Sequence, residues 1–186
     1  MNPTANKSDF EDLTTNLKDL AYSYLEKYSP SKQQLKVYLL KKYLTKIKGT
    51  KSKKEVTSII DEIILNLEKN RILNDEMYSD SKARMFLRRG YSLNKINQSL
   101  RNKGIEDKFI KQSLDKIKED EIEPDFVSAL KLCKRRRIGP LRPGPNRELF
   151  YKKDMGILAR GGFSFDLSKR ILDLDSEEFK KLIKII

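Results

Sequence analysis

Arg88-Arg-Gly-Tyr-Ser-Leu-Asn-Lys-Ile96 and Arg160-Gly-Gly-Phe-Ser-Phe-Asp-Leu-Ser168 follow one pattern. A cation leads to a glycine, an aromatic residue and then a serine. With Ser92 and Ser164 in register, the positions four residues on are Ile96 and Ser168, and those eight on are Leu100 and Leu172. Lys27-Tyr-Ser-Pro-Ser-Lys-Gln-Gln-Leu35 is a weaker third copy, with Ser31, Leu35 and Leu39 in the matching places. Each copy reads as a helix ending in a cation, a short turn, a serine N-cap and a second helix with an apolar stripe. A serine oxygen there accepts a bond from an otherwise unpaired N–H, worth about 1 kcal/mol. The cation lies where the preceding helix points its free carbonyls, which is also stabilising.

Outward from these turns, apolar residues recur at helical spacing. Val56, Ile59, Ile60, Ile63, Ile64 and Leu67 match the amphipathic template at every step. Phe10, Leu13, Leu17, Leu20 and Ala21 form an earlier stripe. Phe109, Ile110, Leu114 and Ile117 form a later one, and Phe179, Leu182 and Ile183 close the chain. Period-2 runs rich in β-branched residues are absent, so the chain reads as all-α. Ser31–Gln34 and Ser52–Glu55 have capping-box spacing. Gly90, Gly104, Gly161 and Gly162 fall where helices should stop. Pro30, Pro124 and the Gly139–Pro145 cluster interrupt the pattern.

A third helix should follow each pair, over roughly 53–70, 106–120 and 175–186. This predicts a tail over 1–12 and three tandem three-helix units at 13–73, 74–122 and 123–186. Units this small bury little core alone, so they should stack into an elongated, curved array.

The chain has 186 residues, with 40 Lys and Arg against 27 Asp and Glu, a net charge of +13. Such an excess predicts an anionic partner. There is no histidine, which excludes Ser-His-Asp and Cys-His triads and imidazole-ligated zinc. A lone Cys133 excludes an internal disulfide and suits a reducing cytosol. The N-terminus lacks the apolar core of a secretion signal, and no apolar run reaches bilayer length. No phosphate-binding glycine loop is present. Acidic pairs such as Asp61–Glu62 and Asp75–Glu76 have no matching partner pattern. Nothing here points to catalysis or to a cofactor.

The charge is uneven. Residues 31–60 hold nine cations and one anion, and residues 134–153 hold eight cations and one anion. Residues 61–81 hold six anions and two cations. Proline and glycine make 134–147 read as a basic loop between helices. Its five arginines repel one another and need an anion to lie still, and Arg suits phosphate or carboxylate better than Lys does. Scattered lysines elsewhere read as a solvated surface, and the Lys-rich 46–54 stretch as a flexible connector. Tyr91, Phe163 and Tyr28, beside the cap serines, read as packing or staple residues in preference to base-stacking ones. Cys133 reads as a buried, inert thiol.

Across residues 17–182 the chain resembles the RecX regulatory proteins, bacterial modulators of the RecA recombinase. The resemblance rests on Leu73-Asn-Asp-Glu-Met-Tyr78, on Arg88–Ile96, and on Leu100-Arg-Asn-Lys-Gly-Ile105. Ala159-Arg-Gly-Gly-Phe-Ser164 is similar to the family's C-terminal Arg-Gly-Phe turn, and Arg135-Arg-Arg-Ile-Gly-Pro140 to a basic insertion carried by one branch. The first unit departs most, with Gln34-Leu35 where Glu-Leu is usual and the Lys-rich 46–54 stretch in place of a short turn. The resemblance implies a non-catalytic, cofactor-free, cytoplasmic monomer. Such a protein binds the RecA–single-stranded-DNA filament, meeting DNA directly or through RecA, and limits its growth. The expected contact residues are Arg88, Arg89, Lys103, Lys134, Arg135, Arg136, Arg137, Arg142, Arg147, Lys152, Lys153 and Arg160. The alternative is an independent helical nucleic-acid-binding protein.

Overall fold

The computed structural model describes residues 3–47 and 52–185, with side chains described at 11–45 and 52–185. The described residues are all-α, as the periodicity predicts, and contain no strand. The helices are α1 (Pro3–Leu25), α2 (Lys32–Lys42), α3 (Lys53–Lys69), α4 (Asp75–Arg88) and α5 (Leu93–Arg101). They continue as α6 (Asp107–Asp120), α7 (Pro124–Arg136), α8 (Gly144–Arg160), α9 (Phe165–Asp173) and α10 (Ser176–Ile185). A π-helical turn, Tyr43–Ile47, extends α2, and a 3-10 turn, Gly139–Leu141, lies between α7 and α8. None of these helices is long and apolar enough to cross a membrane.

The cap serines act as their spacing predicts. Ser31, Ser92 and Ser164 each accept a bond from the backbone N–H three residues on. Ser31 and Ser52 complete capping boxes with Gln34 and Glu55. The residues four and eight places beyond the cap serines are buried in all three copies. The three predicted third helices are α3, α6 and α10.

Two boundaries differ from the sequence reading. α1 begins at Pro3, so residues 3–12 are helical where a tail is expected. The basic segment 134–147 is mostly helix. α7 runs through Lys134, Arg135 and Arg136, and α8 has begun by Gly144. Arg is a good helix former, and cations in a last turn face the free carbonyls. Pro145 sits in the first turn of α8, where its missing N–H forfeits no helical bond. Part of the Lys-rich 46–54 stretch, residues 48–51, lies outside the described residues.

The chain divides into two compact units: Met1–Tyr78 with Lys103–Ile105, and Ser79–Asn102 with Glu106–Ile186. In the first, α1, α2 and α3 enclose Leu17, Leu35, Leu39, Val56, Ile60 and Ile63. Ser31 donates its hydroxyl to the Lys103 carbonyl at 2.7 Å, and the Tyr78 hydroxyl donates to Gln34 at 2.9 Å. The Gln34 that departs from the family pattern thus closes the capping box and also holds Tyr78. Tyr24 stacks on Tyr38, with ring centroids 4.0 Å apart.

In the second unit, Leu130, Leu132, Cys133, Leu158, Phe163, Ile171 and Phe179 form the C-terminal core. Two features lock this core to the helices around it. The first is the α4–α5 corner. Gly90, at φ +73°, presses on the α7 backbone, and the Ser92 N–H donates to the Gly161 carbonyl at 3.1 Å. The second is Asp154 of α8, 1% exposed, which accepts from the Gly139 N–H at 2.9 Å and from two nitrogens of Arg142 at 2.6 and 2.7 Å.

Asp154→Ala removes the carboxylate that pairs with the half-buried Arg142 guanidinium and orphans the Gly139 N–H. It should cost about 3 kcal/mol, lowering the melting temperature by roughly 6–12 °C, while Asp154→Asn loses less. Thermal melts of the two variants against the parent check this. Gly162, at φ +88°, would place a Cβ 2.4 Å from Ser92 Oγ and 2.8 Å from Lys95 Cβ. Gly162→Ala should therefore cost about 2 kcal/mol or more. An unchanged melting temperature in that variant would mean the two turns do not press together.

Candidate anion-binding site

The second unit carries an open pocket of about 420 Å³ where three helix ends meet. The start of α5 and its approach contribute Tyr91 and Lys95. The last turn of α7 contributes Leu132, Arg135 and Arg136. The end of α8 contributes Ile157, Arg160 and Gly161. The glycine turns explain the meeting. Gly90 seats the α4–α5 corner on α7, while Gly161 and Gly162 let α5 approach the end of α8. Lys95 and Arg160 thereby share a wall though 65 residues separate them in sequence.

The pocket is cationic and its floor is apolar. Four cations line it, and no acidic side chain does. Lys95 Nζ donates to neutral Gln98 at 3.2 Å. Arg135, Arg136 and Arg160 are exposed and make no ion pair among the described residues. Three other surface arginines of this unit are paired: Arg84 with Asp120 at 2.9 Å, Arg101 with Asp107 at 3.0 Å and Arg170 with Glu123 at 3.0 Å. Leu132 is buried and Ile157 half-buried, and the half-buried Tyr91 ring packs 5.6 Å from Phe86. Two of the helices end here, so part of the positive charge faces free carbonyls, which holds the arginines near the helix ends without neutralising the cluster.

The other expected contact residues are dispersed. Arg88 and Arg89 are exposed at the end of α4, and Lys103 belongs to the first unit. Lys134 and Arg137 are exposed near the end of α7 but do not line the pocket. Arg142 is taken up by Asp154, so the anion that the arginine-rich segment calls for is in this case internal. Arg147 donates to the carbonyls of Leu172 and Leu174 at 2.8 and 2.6 Å, tying α8 to the end of α9. Lys152 and Lys153 are exposed on α8, with Lys153 beside the Phe150 ring at 5.4 Å. Lys95 is the pocket cation that sequence reasoning passes over, and Tyr91 is a pocket residue that it reads as packing. Their only signal is their place beside the Ser92 cap.

The aromatics near the cap serines have separate environments. Phe163 is buried in the core, and Tyr28 is 58% exposed. Cys133 is fully buried, and burial together with the Asp154 charge pushes its thiol up to about 12, which leaves it inert.

No protein-family model matches the chain. A regulatory protein RecX of Myxococcus xanthus (strain DK1622) is 32% identical over 161 residues, covering 86% of this chain and 85% of that protein. A regulatory protein RecX of Corynebacterium efficiens is 30% identical over 131 residues, covering 66% of this chain and 61% of its own. The crystal structure of RecX from Lactobacillus salivarius matches the fold with a TM-score of 0.60, at 19% identity, covering 95% of this chain and 99% of that one. Identity of 32% sustained over 85% of the Myxococcus protein places the chain in the RecX family of regulatory proteins.

Proposed function

We propose that the chain is a non-catalytic regulator that binds the RecA–single-stranded-DNA filament and limits its growth, damping recombination, strand exchange and ATP hydrolysis. The observation that carries this reading is the near full-length relation to proteins named as regulators. The net charge of +13 and the unpaired arginine pocket support an anionic partner such as a nucleoprotein polymer. The protein acts as a cytoplasmic monomer without a cofactor. Its serine-capped helix pairs, each with a third helix, are read as three repeats at 13–73, 74–122 and 123–186. Several contact points on one chain favour a repeating partner, because each contact after the first is intramolecular and gains from effective concentration. Arg135, Arg136 and Arg160 with Lys95 are the contact residues of first choice. Lys134, Arg137, Arg88 and Arg89 extend the basic surface.

The test is RecA ATP hydrolysis on single-stranded DNA with the protein titrated in. Inhibition well below one protein per RecA subunit is the expected result, since a ligand of the growing polymer acts on many subunits at once. Inhibition only at ratios that coat the DNA would replace the filament reading with that of an independent nucleic-acid-binding protein.

A further inference from the structure

Within a chain of net charge +13, the stretch Glu119-Asp-Glu-Ile-Glu-Pro-Asp125 holds five acids and no cation. It closes α6 and opens α7, so the sign of the charge reverses where these two helices join. A second cleft of the second unit lies at this junction. Its volume is about 350 Å³, and it shares no lining residue with the anion-binding pocket. Leu93 of α5, Pro124 and Phe126 of α7 and Leu167 of α9, all half-buried, form its apolar part. Lys118, Glu123 and Asp125 supply its charged lining. Asp125 accepts from the Leu93 N–H at 2.7 Å, which seats the start of α5 on the start of α7. Glu123 pairs with Arg170 at 3.0 Å, and the Arg170 guanidinium lies 4.3 Å from the centre of the Phe126 ring. Glu123 stands at φ +50°, and a non-glycine residue in that region carries strain of the kind that gathers at binding surfaces. Ile122, beside it in the chain, is 93% exposed, more than any other large apolar side chain among the described residues.

We propose that this cleft docks a segment of a partner protein in which apolar side chains are flanked by lysines or arginines. An apolar side chain lies against Leu93, Phe126 and Leu167, and the flanking cations meet Glu119, Glu121 and Glu123. Charge decides the sign of the partner. A cationic segment is repelled by most of this protein and attracted at the α6–α7 junction, so the field itself selects where it docks. The Glu123–Arg170 pair does not block it, because both side chains are more than half exposed and such pairs contribute little in water. Glu121 can also accept, since one of its carboxylate oxygens is out of solvent and has no hydrogen-bond donor among the described residues. Extent decides the size of the partner. The volume is near the lower end of the roughly 300–1,000 Å³ range of ligand sites, enough for an anchoring side chain. A small molecule confined to it would leave Ile122 in water, whereas a polypeptide covers the cleft and Ile122 together and gains from burying both. The inference goes beyond the filament reading, since it needs neither DNA nor a polymer.

The experiment is fluorescence anisotropy of the full chain with a short labelled peptide, a leucine pair flanked on both sides by lysines, joined to backbone amide NMR of the same titration. Saturable binding is expected, with shifts centred on Leu93, Phe126 and Leu167 and none at Arg135 or Arg160. Ile122→Ser, at a position too exposed to disturb the fold, should weaken binding roughly five- to tenfold. Glu119→Gln/Glu121→Gln should weaken it about threefold or more and flatten its salt dependence. Leu149→Ser, which removes an apolar side chain 75% exposed on α8 and outside the cleft, should leave the affinity unchanged. A peptide with glycines in place of the leucines should bind roughly tenfold more weakly. One with glutamates in place of the lysines should shift none of the three cleft residues. The proposal is overturned if the lysine–leucine peptide does not bind, or if Ile122→Ser binds it like the parent. It is also overturned if the glycine peptide binds as tightly, which would leave an acidic patch and no docking cleft. A dimer of the parent that Ile122→Ser dissolves would give the cleft to a second copy of this chain and overturn it as well.

Discussion

The second unit depends on the contact between two glycine turns. The Ser92 N–H reaches the Gly161 carbonyl, and Gly162 leaves space that any Cβ would deny to Ser92 Oγ. Ser92 is also the N-cap of α5, accepting from the Lys95 N–H at 3.1 Å. One residue thus starts a helix and ties that start to the end of another. Because a side chain near a helix start projects back toward the N-terminus, Lys95 is carried toward the end of α8, where Arg160 stands. The same turn keeps Tyr91 at the pocket. The site follows from backbone packing that excludes a methyl group, and the charges occupy the ends of that packing.

Arginines that look alike in sequence have three separate roles. Arg142 completes a buried ion pair with Asp154. Arg147 satisfies two carbonyls at the end of α9, which otherwise have no helical donor. Arg135 and Arg136 remain in solvent without an acid. The division follows from where each falls. A guanidinium in the α7–α8 connection or the first turns of α8 faces the core wall, and one in the last turn of α7 points outward along the pocket.

The helices were legible because their causes are local. Capping boxes at Ser31 and Ser52, the Ser92 and Ser164 caps, and the Val56–Leu67 stripe act within a few residues, so spacing reveals them. Two local signals misled. Pro145 reads as a breaker but lies in a first turn, where proline is tolerated. Four consecutive basic residues read as a loop, yet three of them close a helix whose carbonyls favour them. The pocket was legible only in part. Arg135, Arg136 and Arg160 stand out by composition, but nothing in the chain order places Lys95 beside them. That meeting is set by the pressing of Gly90 on α7 and of Gly162 on α5, at sequence separations of 40 to 70 residues. Asp154 was invisible for the same reason. It is one acid among the lysines of α8 until the fold brings Arg142 and the Gly139 N–H to it.

The unpaired cluster also has a physical reason to persist. Cations at helix ends gain something from the carbonyls they face, so the protein tolerates Arg135, Arg136 and Arg160 without an acid beside them. That support is modest and screened by salt. Within one unit, Arg142 shows the paired solution, at a buried carboxylate, and Arg135, Arg136 and Arg160 show the unpaired one, at exposed helix ends.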